Sequence, residues 1–174
     1  MGQHLEIAQQ FIEEQRQLHP NLAGALLAGS VAGGTETASS DIDLRLVFQP
    51  ESGTPLDRQG LDSWRSDIYI DALPVKWADY TDTERVLAHP IWANDMNSGR
   101  ILYDPTGQLA QVQLETQAHF METGYIARRV QPLYKQVNPW ITNLQQAIIA
   151  KQLPSACFYA GKLVFSLGLI PLIA

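Results

Sequence analysis

Gly29-Ser30 closes the apolar run 25–28, and Asp41-Ile42-Asp43-Leu44 opens another. Carboxylates at i and i+2 of a strand point to one face, where they can share a pair of divalent metal ions. Gly29 lacks a Cβ, so a phosphate can approach its backbone closely. The amides and hydroxyl around Ser30 can donate hydrogen bonds to phosphate oxygens. Together these residue types imply a site that holds a nucleoside triphosphate and magnesium.

The elements that must position them can be read from periodicity. Leu5, Ala8, Phe11, Ile12 and Leu18 recur at helical spacing, and the segment stops at His19-Pro20, because the residue before proline is pushed out of the α region. The runs 25–28 and 41–48 read as strands, joined by the loop residues Gly33, Gly34, Thr35, Ser39 and Ser40 with one helical turn after Ser30. Residues 49–60, with two prolines and two glycines, read as a surface connection. A third strand is expected over 67–77, with Asp67, Tyr69, Asp71 and Leu73 on one face. Thr81-Asp82-Thr83-Glu84 matches a capping box for a helix ending at His89-Pro90. Ile101-Leu102-Tyr103 reads as a short strand closed by the Asp104-Pro105-Thr106-Gly107 turn. Helical periodicity dominates from Gln108 onward. One apolar stripe runs Tyr125, Ile126, Val130, Leu133, Tyr134, broken or kinked at Pro132; a second runs Ile141, Leu144, Ile148, Ile149; a third runs Cys157, Phe158, Leu163, Val164, Phe165.

The 174 residues suffice for one domain, or a small domain with an appendage, and the 45% hydrophobic and 17% charged residues are an ordinary globular balance. A formal net charge of -6 argues against tight non-specific binding to nucleic acid, which needs clustered Lys and Arg. A small-molecule partner, a cationic one included, fits better. The single Cys157 excludes an intramolecular disulfide framework, and with no signal peptide ahead of the first polar helix the protein is expected to be cytoplasmic. Residues 163–174 are apolar but too few to span a bilayer, so they read as a core helix running into a turn, and the chain is expected to continue beyond Ala174.

The string Leu26-Leu27-Ala28-Gly29-Ser30-Val31-Ala32-Gly33-Gly34, followed by Ser40-Asp41-Ile42-Asp43-Leu44, resembles the signature of the DNA polymerase beta-type nucleotidyltransferase superfamily. It looks closest to the bacterial branch of minimal, aminoglycoside and lincosamide nucleotidyltransferases. The resemblance spans roughly residues 20–107 and takes in Gly99-Arg100-Ile101-Leu102-Tyr103-Asp104-Pro105, similar to a recurrent late segment of these enzymes.

This resemblance implies an α/β (α+β) nucleotidyltransferase fold: a short mixed β-sheet flanked by helices over 1–107, followed by an α-helical region over 108–174. It implies nucleotide contacts by Gly29, Ser30 and Ser40, and two Mg²⁺ ions held by Asp41, Asp43 and a third carboxylate. Asp71 is the best match for the third; Asp67, on the same expected face, is the alternative. The implied reaction moves AMP from ATP to a hydroxyl of a small molecule or protein and releases pyrophosphate. A rival implication is an antitoxin-like protein of this fold acting through a protein partner, or a catalytically weak nucleotide-binding homologue.

One departure stands out. Many relatives carry a basic residue just after the Gly-Ser, where this chain has Val31, Ala32, Gly33 and Gly34, so the cation is expected from Arg45, Lys76, Arg100 or the helical region. Other residues read blandly. The four histidines lack mutual ligand spacing and read as surface or cap residues, Trp77 and Trp92 as wall or core packing, Arg128-Arg129 as a solvated helix surface, and Cys157 as a small buried apolar residue.

Overall fold

The computed structural model describes residues 2–50 and 61–173. Its centre is a five-stranded mixed sheet in the order β3-β4-β2-β1-β5, flanked by helices and followed by further helices. The expected surface connection 49–60 falls mostly outside the described residues. Strand β1 (Leu22–Ala28) is buried along its whole length, as a central strand covered on both faces must be. It pairs antiparallel with β2 (Ile42–Phe48) and with β5 (Arg100–Tyr103). Strand β4 (Ile68–Lys76) runs parallel to β2, and the short β3 (Ser63–Arg65) pairs antiparallel with β4. Pro74 is tolerated in β4 because β3 reaches only as far as Ile70, which leaves the β3 side of Pro74 without a ladder partner among the described strands.

Alternation sorts the sheet into two faces. Ile42, Leu44, Leu46, Ile68, Ile70 and Ala72 pack on one face against Phe11 and Ile12 of α1 (Gly2–Leu18) and Val31 of α2 (Gly29–Gly33). On the other face Leu26, Val47 and Val75 pack with Tyr80 of α3 (Trp77–Tyr80), Val86 of α4 (Thr83–Ala88), Met96 of α5 (Trp92–Ser98), and Leu109 and Val112 of α6 (Gln108–His119). The layer of α5 and α6 comes close to β1 at glycines. A methyl group at Gly24 would lie 2.3 Å from Leu109 Cδ1, and one at Gly99 would lie 2.9 Å from the Leu27 carbonyl.

Several expectations need correction. β4 starts at Ile68, because Ser66 and Asp67 both adopt positive φ, 50° and 66°, and form the tight turn from β3. It also ends before Trp77, which opens α3. The cap of α4 is Asp82, whose carboxylate accepts from the Arg85 amide at 3.1 Å; Thr81 instead donates its hydroxyl back to the Trp77 carbonyl at 2.8 Å. β3 and α5 were not expected at all.

The helix α7 (Thr123–Ile149) runs unbroken through Pro132 and Pro139, so the first two apolar stripes belong to one element. Both prolines are exposed, and each forfeits one backbone hydrogen bond without ending the helix. The third stripe is not core: α8 (Leu153–Ile173) packs along α7 but leaves Phe158, Val164 and Phe165 at 59–73% exposure, and Cys157 is exposed too. No turn interrupts α8 at Gly168 or Pro171. Among the described residues, no helix is long and apolar enough to cross a membrane.

Two basic side chains also depart from expectation. His4 is buried, with its Nε2 3.2 Å from the Ser40 carbonyl, so it ties α1 to the loop before β2. Arg129 is fully buried rather than solvated. Its guanidinium donates to the carbonyls of Leu87 at 3.1 Å and Phe120 at 2.7 Å and lies over the Phe120 ring. Leu87 stands in the last turn of α4 and Phe120 just past α6, so one cation satisfies carbonyls at two helix C-termini, where positive charge is favoured. His89 does serve as a cap, its Nδ1 accepting from the amides of Ile91 and Trp92 while its ring stacks on Trp92.

Replacing Arg129 by Met keeps the apolar stem and strands both carbonyls. R129M should therefore lose on the order of 3 kcal/mol of stability, the range for charge-assisted hydrogen bonds and a buried acceptor left unmade. Urea unfolding followed by circular dichroism measures it; a change within 0.5 kcal/mol would mean that water or backbone shifts replace the guanidinium.

Candidate active site

The end of β1 delivers Gly29 in the left-handed region, φ 65°, directly into α2. A Cβ built there would lie 2.1 Å from Asp43 Oδ2. Gly29 is thus required twice, by its backbone angle and by the carboxylate seated against its bare Cα. After Ser30 the chain closes quickly: Gly34, also left-handed, caps α2, and the Thr35 amide donates to the Ser30 carbonyl at 3.0 Å. Ser30 itself is half-buried.

Ser40 spends its hydroxyl locally, accepting from the Thr37 amide at 2.9 Å. Asp41 follows as an exposed residue one position before β2, and Asp43 lies within the strand, half-buried, opposite Ala28 in the β1 ladder. The parallel pairing of β2 with β4 sets Asp43 directly beside Asp71 in register. Neighbouring strands lie about 4.8 Å apart, so the two side chains leave the same face at that spacing. Asp67, by contrast, is exposed in the turn ahead of β4.

The carboxylates feel one another. Burial pushes the Asp43 carboxyl above the usual range, the charges of Asp41 and Asp71 push the same way, and Arg45 opposes them. Among the described residues, no three His, Cys, Asp or Glu side chains are gathered into a ready-made metal centre. The structure brings Asp43 and Asp71 together and leaves Asp41 at the rim. Their hard oxygen donors suit Mg²⁺, which keeps several waters and needs few carboxylates.

Of the three basic residues expected to stand near phosphate, the topology separates each from the others. Arg45 is committed elsewhere: its Nε donates to Asp95 Oδ2 at 2.7 Å and its Nη2 to Oδ1 at 3.5 Å, with both side chains largely buried. Tyr80 donates its hydroxyl to the same Asp95 oxygen at 3.2 Å, and burial drives the Tyr80 phenol well above its ordinary pKa. Lys76 pairs with Phe48, at the opposite end of β2 from Asp43. Arg100 pairs with Leu27, at the end of β1 that carries Gly29-Ser30, and is exposed. Asp95 was not singled out by sequence reasoning; the signal was an acid set between residues Ala93 and Met96, both buried, in a helix that went unread.

No family model matches the chain, and no curated protein matches it. Solved structures do. One is a proposed nucleotidyltransferase from Sulfolobus solfataricus, 23% identical, covering 59% of this chain and 81% of its own, with a TM-score of 0.42. Another is a toxin-antitoxin with AMP-PNP, 17% identical, covering 74% of this chain and 97% of its own, with a TM-score of 0.48. Neither likeness is high enough to carry function across.

The crowding on this face has a stability signature. An Asp with a raised pKa in the fold keeps its proton longer than in the unfolded chain, so stability falls as pH rises through the carboxylate range and the deficit persists at neutral pH. D43N should then be as stable as wild type or more so at pH 7 in chelator, with the difference vanishing below about pH 4, near the unfolded carboxylate value. Calorimetry across pH checks it; a mutant less stable at pH 7 would give Asp43 a structural role. For G29A, the strained φ and the displaced Asp43 carboxylate should together cost about 1–3 kcal/mol, measurable by denaturant titration.

Proposed function

We propose that the protein is a metal-dependent nucleotidyltransferase that moves a nucleoside monophosphate, AMP from ATP, onto a hydroxyl of a small molecule or protein. The observation that carries this reading is the in-register pair Asp43 and Asp71 beside a glycine whose bare Cα faces the Asp43 carboxylate. Asp41, Asp43 and Asp71 would hold two Mg²⁺ ions, with Asp41 turning in from the rim. When bound, magnesium supplies neutralisation of the triphosphate and stabilisation of charge on the attacking and leaving oxygens.

The chain's own residues do the rest. Gly29 lets the Asp43 carboxylate seat against the turn, and the Ser30 hydroxyl and nearby amides donate to the β- and γ-phosphate oxygens. Asp71 takes the proton of the acceptor hydroxyl, whose oxygen bonds to the α-phosphorus as the bond to the bridging oxygen breaks and pyrophosphate leaves. Arg100 stands at the Gly29 end of the sheet, but its ladder partner Leu27 packs on the α1 face, so no role toward pyrophosphate is assigned to it.

A second reading, an antitoxin-like protein acting through a protein partner, is favoured by one observation. Ile148 and Ile149 of α7 and Phe158, Val164 and Phe165 of α8 stand exposed. Co-purification of a small helical partner, with no transfer activity, would bring that reading forward.

Thermal shift tests the main one. ATP with magnesium should stabilise wild type, whereas ATP with excess chelator should not, because the acids repel phosphate until a cation neutralises them. S30A should keep the fold and weaken triphosphate binding by about 0.5–3 kcal/mol, the range for one lost hydrogen bond to a neutral or charged partner. Equal stabilisation with and without chelator would sink the two-metal site.

A further inference from the structure

The hairpin of β3 and β4 carries a pair of aromatic rings that the transfer chemistry does not use. Trp64 pairs in register with Tyr69, and their ring centroids lie 5.2 Å apart at an interplanar angle of 50°. Their face is known from their neighbours. Arg65 and Ile68, the flanking pair, lie on the α1 side, where Arg65 binds Glu14 at 2.9 Å, so Trp64 and Tyr69 project to the opposite face. That face also bears Asp71, two residues along β4, and Asp43 beside it. Two residues of strand are about 7 Å, the span of a small ring with one substituent.

The end of the sheet agrees as well. β1 runs antiparallel to β2, so Gly29-Ser30 stand at the N-terminal ends of β2 and β4, where Trp64 and Tyr69 also stand. Helices α3 to α6 pack on this face with Leu26, Val47, Leu73 and Val75 and reach Arg45 through Asp95, all further along the strands than Asp43 and Asp71. Trp64 remains 66% exposed. A cross-strand aromatic pair stabilises a hairpin, but that contact alone leaves most of the indole in water. The two consecutive positive-φ residues of the Ser66-Asp67 turn hold the hairpin tightly, so the rings are preorganised.

We propose that Trp64 and Tyr69 form the acceptor platform: the acceptor carries its hydroxyl on a planar aromatic ring that stacks on Trp64 while the hydroxyl reaches Asp71. The acids at this end, Asp41, Asp43, Asp67 and Asp71, select a neutral or cationic ring over an anionic one. This inference rests on the transfer reading for the role of Asp71, but the ring site itself can be tested without turnover.

The probe is tyramine, a cationic phenol, titrated into ¹⁵N-labelled protein while the four tryptophan indole signals are followed. Trp64 is assigned by its loss in W64A, an exposed substitution whose fold is checked by circular dichroism. Tyramine should shift the Trp64 indole saturably. Ethanolamine, which lacks the ring, and 4-hydroxybenzoate, which is anionic, should bind at least about tenfold more weakly, and W64A should lose about tenfold in tyramine affinity by saturation transfer, in line with aromatic stacking. An unmoved Trp64 signal, or an equal response to ethanolamine, overturns the platform. So does W64A losing its stabilisation by ATP with magnesium, since the stack would then take the nucleobase. If wild type shows no such stabilisation while tyramine still shifts Trp64, the transfer reading fails and the ring site stands.

Discussion

The acidic face depends on the register between β2 and β4. Parallel pairing of Ile42 with Ile70 and Asp43 with Asp71 puts two like charges side by side on a half-buried face. A slip of one residue would turn Asp71 towards α1 and bring Ile70 out, at the cost of a buried aliphatic side chain. The apolar partners on the opposite face, Ile42, Leu44, Ile70 and Ala72, all fully buried, therefore enforce the crowding that the carboxylates resist. Core packing supplies the energy, and the acids receive the geometry.

Two buried cations then fasten the helices to that sheet. Arg45 leaves β2 on the acidic face and would be the natural counter-charge for Asp43, yet Asp95 and Tyr80 hold it in a fork beneath α5. A buried ion pair contributes little net stability when both partners are present, but removing either leaves a charge stranded. Its use here is positional: it joins α3 and α5 to the central strand and commits the Arg45 charge to Asp95. Arg129 does the same further out, binding α7 to the ends of α4 and α6.

What the sequence disclosed follows from how local each signal is. Gly29, the strands around it and the Asp-x-Asp pair lie within a short span, and a periodicity of two places both acids on one side without any knowledge of tertiary structure. Four of the five strands and the trailing helices were legible for the same reason, whereas the three-residue β3 was not. Asp95 and Arg129 were not, because each has a partner distant in sequence, Arg45 at 50 residues and Leu87 at 42, and nothing local distinguishes a buried charge from a solvated one. Asp67 and Asp71 alternate identically as letters; only the positive φ of Ser66 and Asp67 separates turn from strand. The exposed α8 failed in the opposite sense, since an apolar run says that burial would be favourable, not that a partner is at hand.

The second face of the sheet is divided along its strands, and the division decides where chemistry can occur. Where Val47 and Val75 stand, helices α3 to α6 exclude water, and the side chains are apolar. Four residues back along the same strands, at Asp43 and Asp71, the helices have ended, and the side chains are acidic and half-exposed. The boundary is built by Arg45 and Leu73, one charged and tied to Asp95, the other apolar and packed under the helices. The open half is thus a floor backed by packed core, with the Gly29 turn at one side and the pair of Trp64 and Tyr69 at the other. Rigidity of the floor is what holds Asp43 and Asp71, whose charges repel one another, side by side on one face.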